Sequence, residues 1–423
     1  MAEVDTVTLA ATQLLDRDPG IRANAIFRLG ASGDTGAVAP LVQFLFWAGE
    51  REQRSVFGAL AALTGAQRES WFDWQVWQQQ HPEIAPFAGY SGWLAEVFAR
   101  VDPLFRRFVS SSVAHTIRLE EIVWGGVKVD AIPALDRPRT TGAGAAGWLD
   151  PDDRVFGVEI NGHVRAYPQR IADWHEMVND TLGGVAFSLA YCTLCGAAIA
   201  FAGAVRDGRT FTFGSSGLLY RSNKLMYDRQ TDSLWNQFSG TPVVGALVNS
   251  RIALDVLPIV TTTWAAWRRR HPDTTVLSNR TGFRRDYTRG AAYGGYFASP
   301  SLLFPADVRD PALQKEVVFG LRAAGGVKTW PLARFAPATV INDRVGLVDV
   351  VLIGNAATGT VRAYESRGRS FAASGTDALR AADGVWRITE AALLGPDARS
   401  LPRVPGHVGY RFAWEGYFGV NTE

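Results

Sequence analysis

The sequence predicts an α+β protein of several domains, with a helical-repeat domain at the N-terminus and a mainly β region made of two related copies. Three observations carry this prediction. Apolar residues recur at helical spacing over the first hundred residues. After about residue 120 the chain changes to short runs of Val, Ile, Phe, Thr and Tyr, separated by Gly, Asp and Asn. Part of that β-rich sequence then occurs a second time.

The helical prediction depends on residues 21–63. Asp18-Pro19-Gly20 and Gly33-Asp34 divide the apolar pattern into short helices. The sequence at residues 25–30 and 59–65 is similar to that of HEAT-type helix pairs, which stack and bury a shared apolar face. We therefore expect a HEAT-like helical domain that offers a possible binding surface to a protein partner.

A hairpin marks the start of the first β copy. Residues 155–160 and 163–167 are β-rich, and the dipeptide Asn161-Gly162 between them is typical of a two-residue hairpin turn. The chain from 186 to 201 also predicts strands on both sides of the two cysteines.

The repeat is found by placing residues 155–201 (segment one) on residues 318–364 (segment two), an offset of 163 without a gap. The alignment has 13 identities in 47 positions, where chance gives about three at ordinary composition. Trp267 and Trp414 are a looser match further on. The two copies are expected to pack about a pseudo-twofold axis.

Together these observations divide the chain into four parts. We expect a HEAT-like helical domain at 1–115, a β-rich repeat one with the Cys/His site at 116–275, a connecting segment at 276–313 and a degenerate β-rich repeat two at 314–423.

The repeat points to three residues that the second copy does not keep. His175, Cys192 and Cys195 are replaced in segment two by Ala338, Asn355 and Thr358. The only two cysteines of the chain form a C-x-x-C element, whose spacing suits two thiolates on one metal ion or a thiol–disulfide redox pair. With His175 they would give three protein ligands and leave one open position.

The metal hypothesis names further residues. Two thiolates and an imidazole suit copper, with zinc as the alternative, and Met226 is a possible fourth ligand that would favour copper. Core packing is the alternative role of Met226. Glu176 or Asp228 would transfer protons as the catalytic residues.

Polar and aromatic residues nearby are candidates for substrate binding, although they could equally satisfy buried backbone groups. The candidates are Tyr191, Tyr220, Asn223, Trp235 and Gln237. Between the copies, residues 284–287 and 293–296 are expected to form a surface loop rather than a lid. Gly214-Ser-Ser-Gly217 predicts a turn.

At these motifs the chain resembles a bacterial and archaeal family, domain-of-unknown-function family 3179. The family signature is similar to His175-Glu176-Met177-Val178-Asn179-Asp180, to Tyr191 through Gly196, and to Asn223 through Gln237. The resemblance runs from about Glu120 to Glu423, and Thr193 stands where the family often has proline. It supports the site and implies no particular reaction.

Our hypothesis is a metal-dependent oxidoreductase of the Cys₂His, copper type that acts on a small molecule or peptide. A thiol–disulfide redox protein using Cys192 and Cys195, and a metal-binding scaffold whose helices recruit a partner, are the alternatives. A net charge of +2 gives no electrostatic case for nucleic acid, and no apolar run is long enough to span a membrane. The acidic start, residues 1–5, lacks an apolar signal region, so we expect a cytoplasmic protein.

Overall fold

The computed structural model describes residues 6–205 and 208–419. The acidic start at residues 1–5, used for the cytoplasmic prediction, lies outside the described residues, as do 206–207 of predicted repeat one and 420–423 of predicted repeat two. Within the described chain, every helix is too short or too polar to cross a membrane.

Helices fill the first hundred residues, as the apolar spacing predicts. They are α1 (Thr6–Gln13), α2 (Pro19–Ala31), α3 (Val38–Leu45), α4 (Glu50–Thr64), α5 (Trp71–Gln80) and α6 (Tyr90–Ala99). Helix α2 begins with Pro19 in its first turn. The Asp18 side chain caps it by accepting a hydrogen bond from the Gly20 amide at 2.7 Å. Val244 and Leu225 of the following β region pack in the same apolar core as Leu60 and Phe98. The helices therefore lie against the β region rather than apart from it.

The chain from residue 122 to 277 is mostly β. Its elements are β1 (Ile122–Trp124), β2 (Leu135–Asp136), β3 (Thr140–Gly142), β4 (Arg154–Ile160), β5 (His163–Pro168), α7 (Gln169–His175), β6 (Met177–Leu182), β7 (Val185–Cys192), β8 (Ala197–Ala202), β9 (Phe213–Tyr220), β10 (Asn223–Asp228), β11 (Leu234–Asn236), β12 (Thr241–Val244), β13 (Val256–Leu257), β14 (Val260–Thr263), α8 (Trp264–Arg270) and β15 (Thr275–Leu277).

The remaining chain contains α9 and a second group of strands before a final helix. Its elements are α9 (Gly294–Ala298), β16 (Val317–Ala323), β17 (Gly326–Pro331), β18 (Thr339–Val345), β19 (Val348–Asn355), β20 (Thr360–Glu365), β21 (Ala372–Ala373), β22 (Ala378–Ala381), β23 (Gly384–Ile388), β24 (Ala392–Leu394), β25 (Ser400–Val404), β26 (Gly406–Tyr410) and α10 (Arg411–Phe418).

The strands form several sheets. The sheet orders in the first group are β1-β9-β10-β11-β12, β13-β8-β7-β6-β2 and β14-β4-β5-β15-β3. In the second group they are β17-β16-β26 and β18-β19-β20-β25-β24-β23-β22-β21. The predicted hairpin is present: Asn161 and Gly162 have φ values of 51° and 77°, which fit the left-handed turn between β4 and β5. The predicted turn at 214–217 is wrong, because these residues lie inside strand β9.

Segments one and two pair their strands in the same register. In segment one, Phe156 lies opposite Tyr167 and Leu189 lies opposite Ala200. The same pairs recur 163 residues later, where Phe319 lies opposite Trp330 and Leu352 lies opposite Ala363.

Polar contacts between the strands recur in the same way. Asp180 accepts from Arg165 and Tyr167, and Asp343 accepts from Lys328 and Trp330. The Asn179 side chain bonds both backbone groups of Phe213, and Asn342 does the same with Phe371. These polar positions, shared in the alignment, serve equivalent structural roles.

An outer strand and a tryptophan follow each hairpin. Val260 of β14 lies opposite Gly157, and His407 of β26 lies opposite Gly320. Trp267 covers Gly157 and Trp414 covers Gly320, so closely that a Cβ on either glycine would lie 2.3 Å or 2.1 Å from the ring. Only glycine leaves room for the indole at these two positions.

Candidate functional site

The two cysteines lie in the tight connection between β7 and β8, residues 192–196, which we call the cysteine loop. Cys192 is the last residue of β7 and lies opposite Ala197, the first residue of β8. The Cys195 amide donates to the Cys192 carbonyl at 3.2 Å and closes the turn. The predicted strands on both sides of the C-x-x-C element are therefore confirmed.

Both sulfur atoms are buried and face each other. The side chains of Cys192 and Cys195 are free thiols, 2% and 0% exposed, and their Sγ atoms are 2.7 Å apart. The Asn223 amide donates to Cys195 Sγ at 3.2 Å. The fold thus holds the two thiols in direct contact, with a polar side chain on one of them.

The environment makes the two thiols unequal. Burial alone would raise the pKa of Cys192, but hydrogen bonds from the Cys195 thiol and from the backbone amides of Lys224 and Cys195 lower it below its ordinary value. Burial and the hydrogen bond to Cys192 raise the pKa of Cys195 well above that value. The first thiolate to form is therefore on Cys192, and it shares the Cys195 proton.

A buried ion pair lies beside the loop. Glu176 caps α7 in a left-handed conformation with a φ of 53°. Its Oε2 is 2.8 Å from Nζ of Lys224, and Thr193 Oγ1 is 3.5 Å from its Oε1. The negative charge of Glu176 raises the pKa of Cys192. The positive charge of Lys224 offsets the charge of that carboxylate and so reduces its effect on the pKa of Cys192.

Gln237 and Asn223 join the loop to the neighbouring sheet. Gln237 Nε2 donates to the carbonyls of Ala190 and Ala197 at 2.8 and 2.9 Å, one on each strand that flanks the loop. Its Oε1 accepts from Asn223 at 2.8 Å. Of these two predicted substrate residues, Gln237 therefore satisfies buried backbone groups and Asn223 positions Cys195.

His175 has different neighbours. Its Nδ1 is 2.8 Å from the Pro133 carbonyl and its Nε2 is 2.6 Å from the Tyr287 hydroxyl, and neither ring nitrogen has a hydrogen bond to the cysteine loop. Burial lowers the pKa of His175, so the neutral ring donates through Nδ1 and accepts from Tyr287 through Nε2.

Part of the connecting segment covers the site, which differs from the expected surface loop. The Tyr296 hydroxyl donates to the Leu194 carbonyl at 2.7 Å, and Tyr296 is buried. The Tyr410 amide of β26 donates to the Cys195 carbonyl at 2.8 Å. Residues far along the chain thus close over the cysteine loop because the loop offers two unpaired carbonyls.

Residues 129–421 match a protein family described as a protein of unknown function, DUF3179. The chain belongs to the DUF3179 family. The match contains the cysteine loop, the connecting segment and segment two, and it leaves out α1 to α6. No curated protein matches the chain, and no solved structure matches it.

Three other predicted residues of this DUF3179 chain lie in structural contacts away from the cysteines. Asp228 accepts from the backbone amides of Gln230 and Thr231 and from Trp235 Nε1, which holds the turn after β10. Met226 and Trp235 are fully buried in one apolar cluster. These contacts give the three residues structural roles, and their predicted roles in catalysis, metal binding and substrate binding stay predictions.

The two predicted tyrosines have separate surroundings. Tyr220 packs in the core shared with the helices, and burial, with Glu121 next to it, raises its pKa. Tyr191 faces the cluster around Phe156, on the opposite side of β7 from Cys192. Burial raises the pKa of its neighbour Asp173 to about 7.

Among the described residues, no group of three or more His, Cys, Asp or Glu side chains is placed to hold a metal ion. The structure brings together Cys192, Cys195, Glu176, Asn223 and Gln237. The sequence pattern does not predict that Lys224 pairs with Glu176 or that Tyr296 contacts the cysteine loop.

Proposed function

We propose that the DUF3179 part of this chain is a thiol–disulfide redox protein that uses Cys192 and Cys195. The observation that carries the proposal is the 2.7 Å separation of the two Sγ atoms in one tight loop. A disulfide bond is about 2.05 Å long, so oxidation of this pair needs a movement of under roughly 1 Å. Loop and strands hold the pair ready for that step.

The roles of the two cysteines follow from their pKa directions. Cys192, whose pKa is lowered, is the attacking thiolate, and Cys195, whose pKa is raised, keeps its proton until the second step. The substrate class is a small or peptide disulfide. The Cys192 thiolate attacks one sulfur of the substrate disulfide, forms a mixed disulfide and releases one substrate thiolate.

In the second step Cys195 resolves the mixed disulfide. Cys195 gives its proton to the departing substrate sulfur, and its own sulfur attacks Cys192 Sγ. The mixed disulfide breaks, the second substrate thiol leaves, and the Cys192–Cys195 disulfide remains. One disulfide has been reduced to two thiols, and the protein dithiol has been oxidised by the same two electrons.

The experiment compares full-length protein with single-cysteine variants in glutathione redox buffers. We expect the parent chain to form the Cys192–Cys195 disulfide reversibly, with a mass loss of two hydrogens. Cys195→Ser should accumulate a glutathione adduct on Cys192, and Cys192→Ser should form adducts far more slowly. Two thiols that stay reduced in the parent chain across the whole range of buffers would overturn the proposal. His175→Ala is the matched control, because the dithiol mechanism predicts no change.

A metal-dependent oxidoreductase is a second candidate, with copper or zinc as the ion. The observation that favours it is the hydrogen bond from His175 Nδ1 to Pro133, which leaves Nε2 without a proton, as in histidines that bind metal through this atom. The two thiols supply soft ligands suited to copper or zinc. The described side chains do not form a three-ligand group, so we derive no step through the ion.

Metal analysis separates the two candidates. Protein is reduced, supplied with Cu(I) or Zn²⁺ and dialysed before elemental analysis. One ion per chain that is lost in both Cys192→Ser and His175→Ala would support the metal site. Binding that persists in His175→Ala would exclude the Cys₂His set, and binding by neither metal would leave the dithiol proposal alone.

We also infer that segments one and two are copies of one unit, packed about a pseudo-twofold axis. The identical register, the two Trp–Gly contacts and the paired roles of Asn179 and Asn342 support this inference. An experimental structure should superpose 155–201 on 318–364 with a rotation near a half-turn. HEAT-type stacking of the helices, and a protein partner there, stay predictions.

A further inference from the structure

A cavity lies in segment two at the place that corresponds to the cysteine site of segment one. Its volume is about 450 Å³, and Ala338, Asn355 and Thr358 contribute to its lining. These three residues occupy the positions of His175, Cys192 and Cys195 at the offset of 163. The second copy thus has an open space where the first copy has its buried thiols.

Hydroxyl groups line one side of the cavity. Thr358 Oγ1 is 2.8 Å from Thr360 Oγ1, which donates to Thr262 Oγ1 at 2.7 Å. Thr262 belongs to β14, so the cavity lies between the second segment and a strand from the first group. The row offers polar atoms to a bound molecule.

Positive charge exceeds negative charge around Arg270 and Arg362, which line the cavity. Arg270, Arg362 and Arg403 all contact the buried carboxylate of Glu390, and Asp377 pairs with Arg270. Three guanidinium groups therefore meet two carboxylates. Arg362 uses Nε and Nη2 on Glu390, and its Nη1 has no hydrogen bond to the described residues.

A further guanidinium and an apolar wall complete the cavity. Arg269 lies at the lining and forms no ion pair with the residues that the structure describes. The lining also contains Val340, Ile353, Leu379 and Ile388. The cavity therefore offers cationic donors to an anionic group and aliphatic side chains to a hydrocarbon body.

We propose that this cavity binds a small organic carboxylate with an apolar body. A guanidinium with a free donor pairs with the carboxylate oxygens, the threonine row supplies further hydrogen bonds, and the aliphatic wall takes the body of the ligand. The site is separate from the cysteines, so the proposal does not depend on dithiol chemistry.

The test measures hexanoate binding to the full chain by calorimetry and thermal unfolding at constant ionic strength. We expect saturable binding of hexanoate, and at least tenfold weaker binding of its neutral isostere hexanamide. Inorganic phosphate should also bind at least tenfold more weakly. Equal binding of hexanamide or stronger binding of phosphate would overturn the proposed ligand class, and the lack of saturable hexanoate binding would overturn the site.

Variants locate the bound carboxylate. Ala373 lines the cavity, and its neighbour Ala372 in β21 points to the opposite face; both are exposed. Ala373→Phe should weaken hexanoate binding at least tenfold, while Ala372→Phe and Cys192→Ser leave it unchanged. Arg362→Gln should also weaken hexanoate binding. Arg269→Gln should weaken it as well, and because Arg269 is exposed this change does not put folding at risk. Unchanged affinity in both Ala373→Phe and Arg269→Gln would place the bound carboxylate elsewhere and refute the inference.

Discussion

The cysteine loop and the loop at 355–359 occupy the same point of the same strand pairing, but their surroundings differ. Cys192 lies opposite Ala197, and Asn355 lies opposite Thr360. The first loop is buried under residues from the connecting segment and β26, whereas the second borders a cavity. The strands therefore pair without cysteines, and the thiols are not needed to hold this type of hairpin together.

The difference extends to charge. Beside the cysteine loop, Glu176 and Lys224 form a buried ion pair; at the matching position of Glu176, segment two has the uncharged Thr339. A buried ion pair costs desolvation free energy and is a poor means of stabilising a fold. Segment two lacks a carboxylate at that position and still pairs its strands in the same register, which fits a role of the Glu176–Lys224 pair in tuning the thiols rather than in holding the strands.

The largest expected effect comes from breaking this ion pair. Lys224→Met leaves the Glu176 carboxylate unpaired in a buried position, so we expect a loss of about 3 kcal/mol in the free energy of unfolding. It also removes the charge that shields Cys192, so the pKa of Cys192 should rise. Chemical denaturation and the pH profile of thiol alkylation measure the two effects. Thr339→Val in segment two should change stability by less than about 0.5 kcal/mol; a comparable loss there would contradict the contrast.

The next effect tests what the two segments share. Gly157→Ala and Gly320→Ala would each push a methyl group into a buried indole ring, so we expect each to cost about 2–3 kcal/mol. Denaturant unfolding measures both, with Gly144→Ala as the control because a Cβ there meets no atom within 4 Å. If only one of the two glycines were sensitive, the equivalence of the Trp267 and Trp414 contacts would fail.

The smallest effect concerns the outer strands, where β14 has Val260 opposite Gly157 and β26 has His407 opposite Gly320. Burial, with the charge of Arg322, lowers the pKa of His407 to about 3. The unfolded chain takes up this proton near pH 6.5, while the folded chain does not. Stability is therefore lost as pH falls from about 6.5 towards 3, by about 1.4 kcal/mol per pH unit.

His407→Val should remove this acid sensitivity. We compare the free energy of unfolding of the variant with that of the parent chain at each pH. This difference should shift in favour of the variant by about 2 kcal/mol between pH 7.5 and pH 5. Urea unfolding at both pH values measures the difference. A difference between variant and parent that does not change with pH would show that the pKa of His407 is the same in the folded and unfolded chain, which would contradict the lowered pKa.

Local patterns in the sequence were sufficient for much of the fold. Asn161-Gly162 predicts its hairpin because a two-residue turn needs left-handed backbone at both positions. The strands around the C-x-x-C element and the N-terminal helices were also predicted correctly. The turn predicted at 214–217 is a strand because β9 pairs with β1 and β10, and composition does not reveal that pairing.

The site was only partly predictable, because several contacts join distant parts of the chain. For Asn223 and Gln237 the sequence leaves open substrate binding or the satisfaction of buried backbone groups. Gln237 bonds strand carbonyls, as the second alternative predicts, and Asn223 bonds Cys195, which neither alternative predicts. Tyr296 reaches the cysteine loop from about a hundred residues away. The pairing of His175 with Tyr287 is equally remote. Spacing along the chain suggests one metal site of His175 and the two cysteines, and that site stays a prediction.

The hydrogen bond from Tyr410 to the Cys195 carbonyl also has a consequence for synthesis of the protein. The cysteine loop leaves the ribosome long before the strand that covers it. At ordinary elongation rates the remaining two hundred or so residues need roughly 10–40 s. During that interval the Cys195 carbonyl lacks the Tyr410 amide that it bonds in the folded chain, and both thiols are more open to oxidants and metals than they are once β26 is in place.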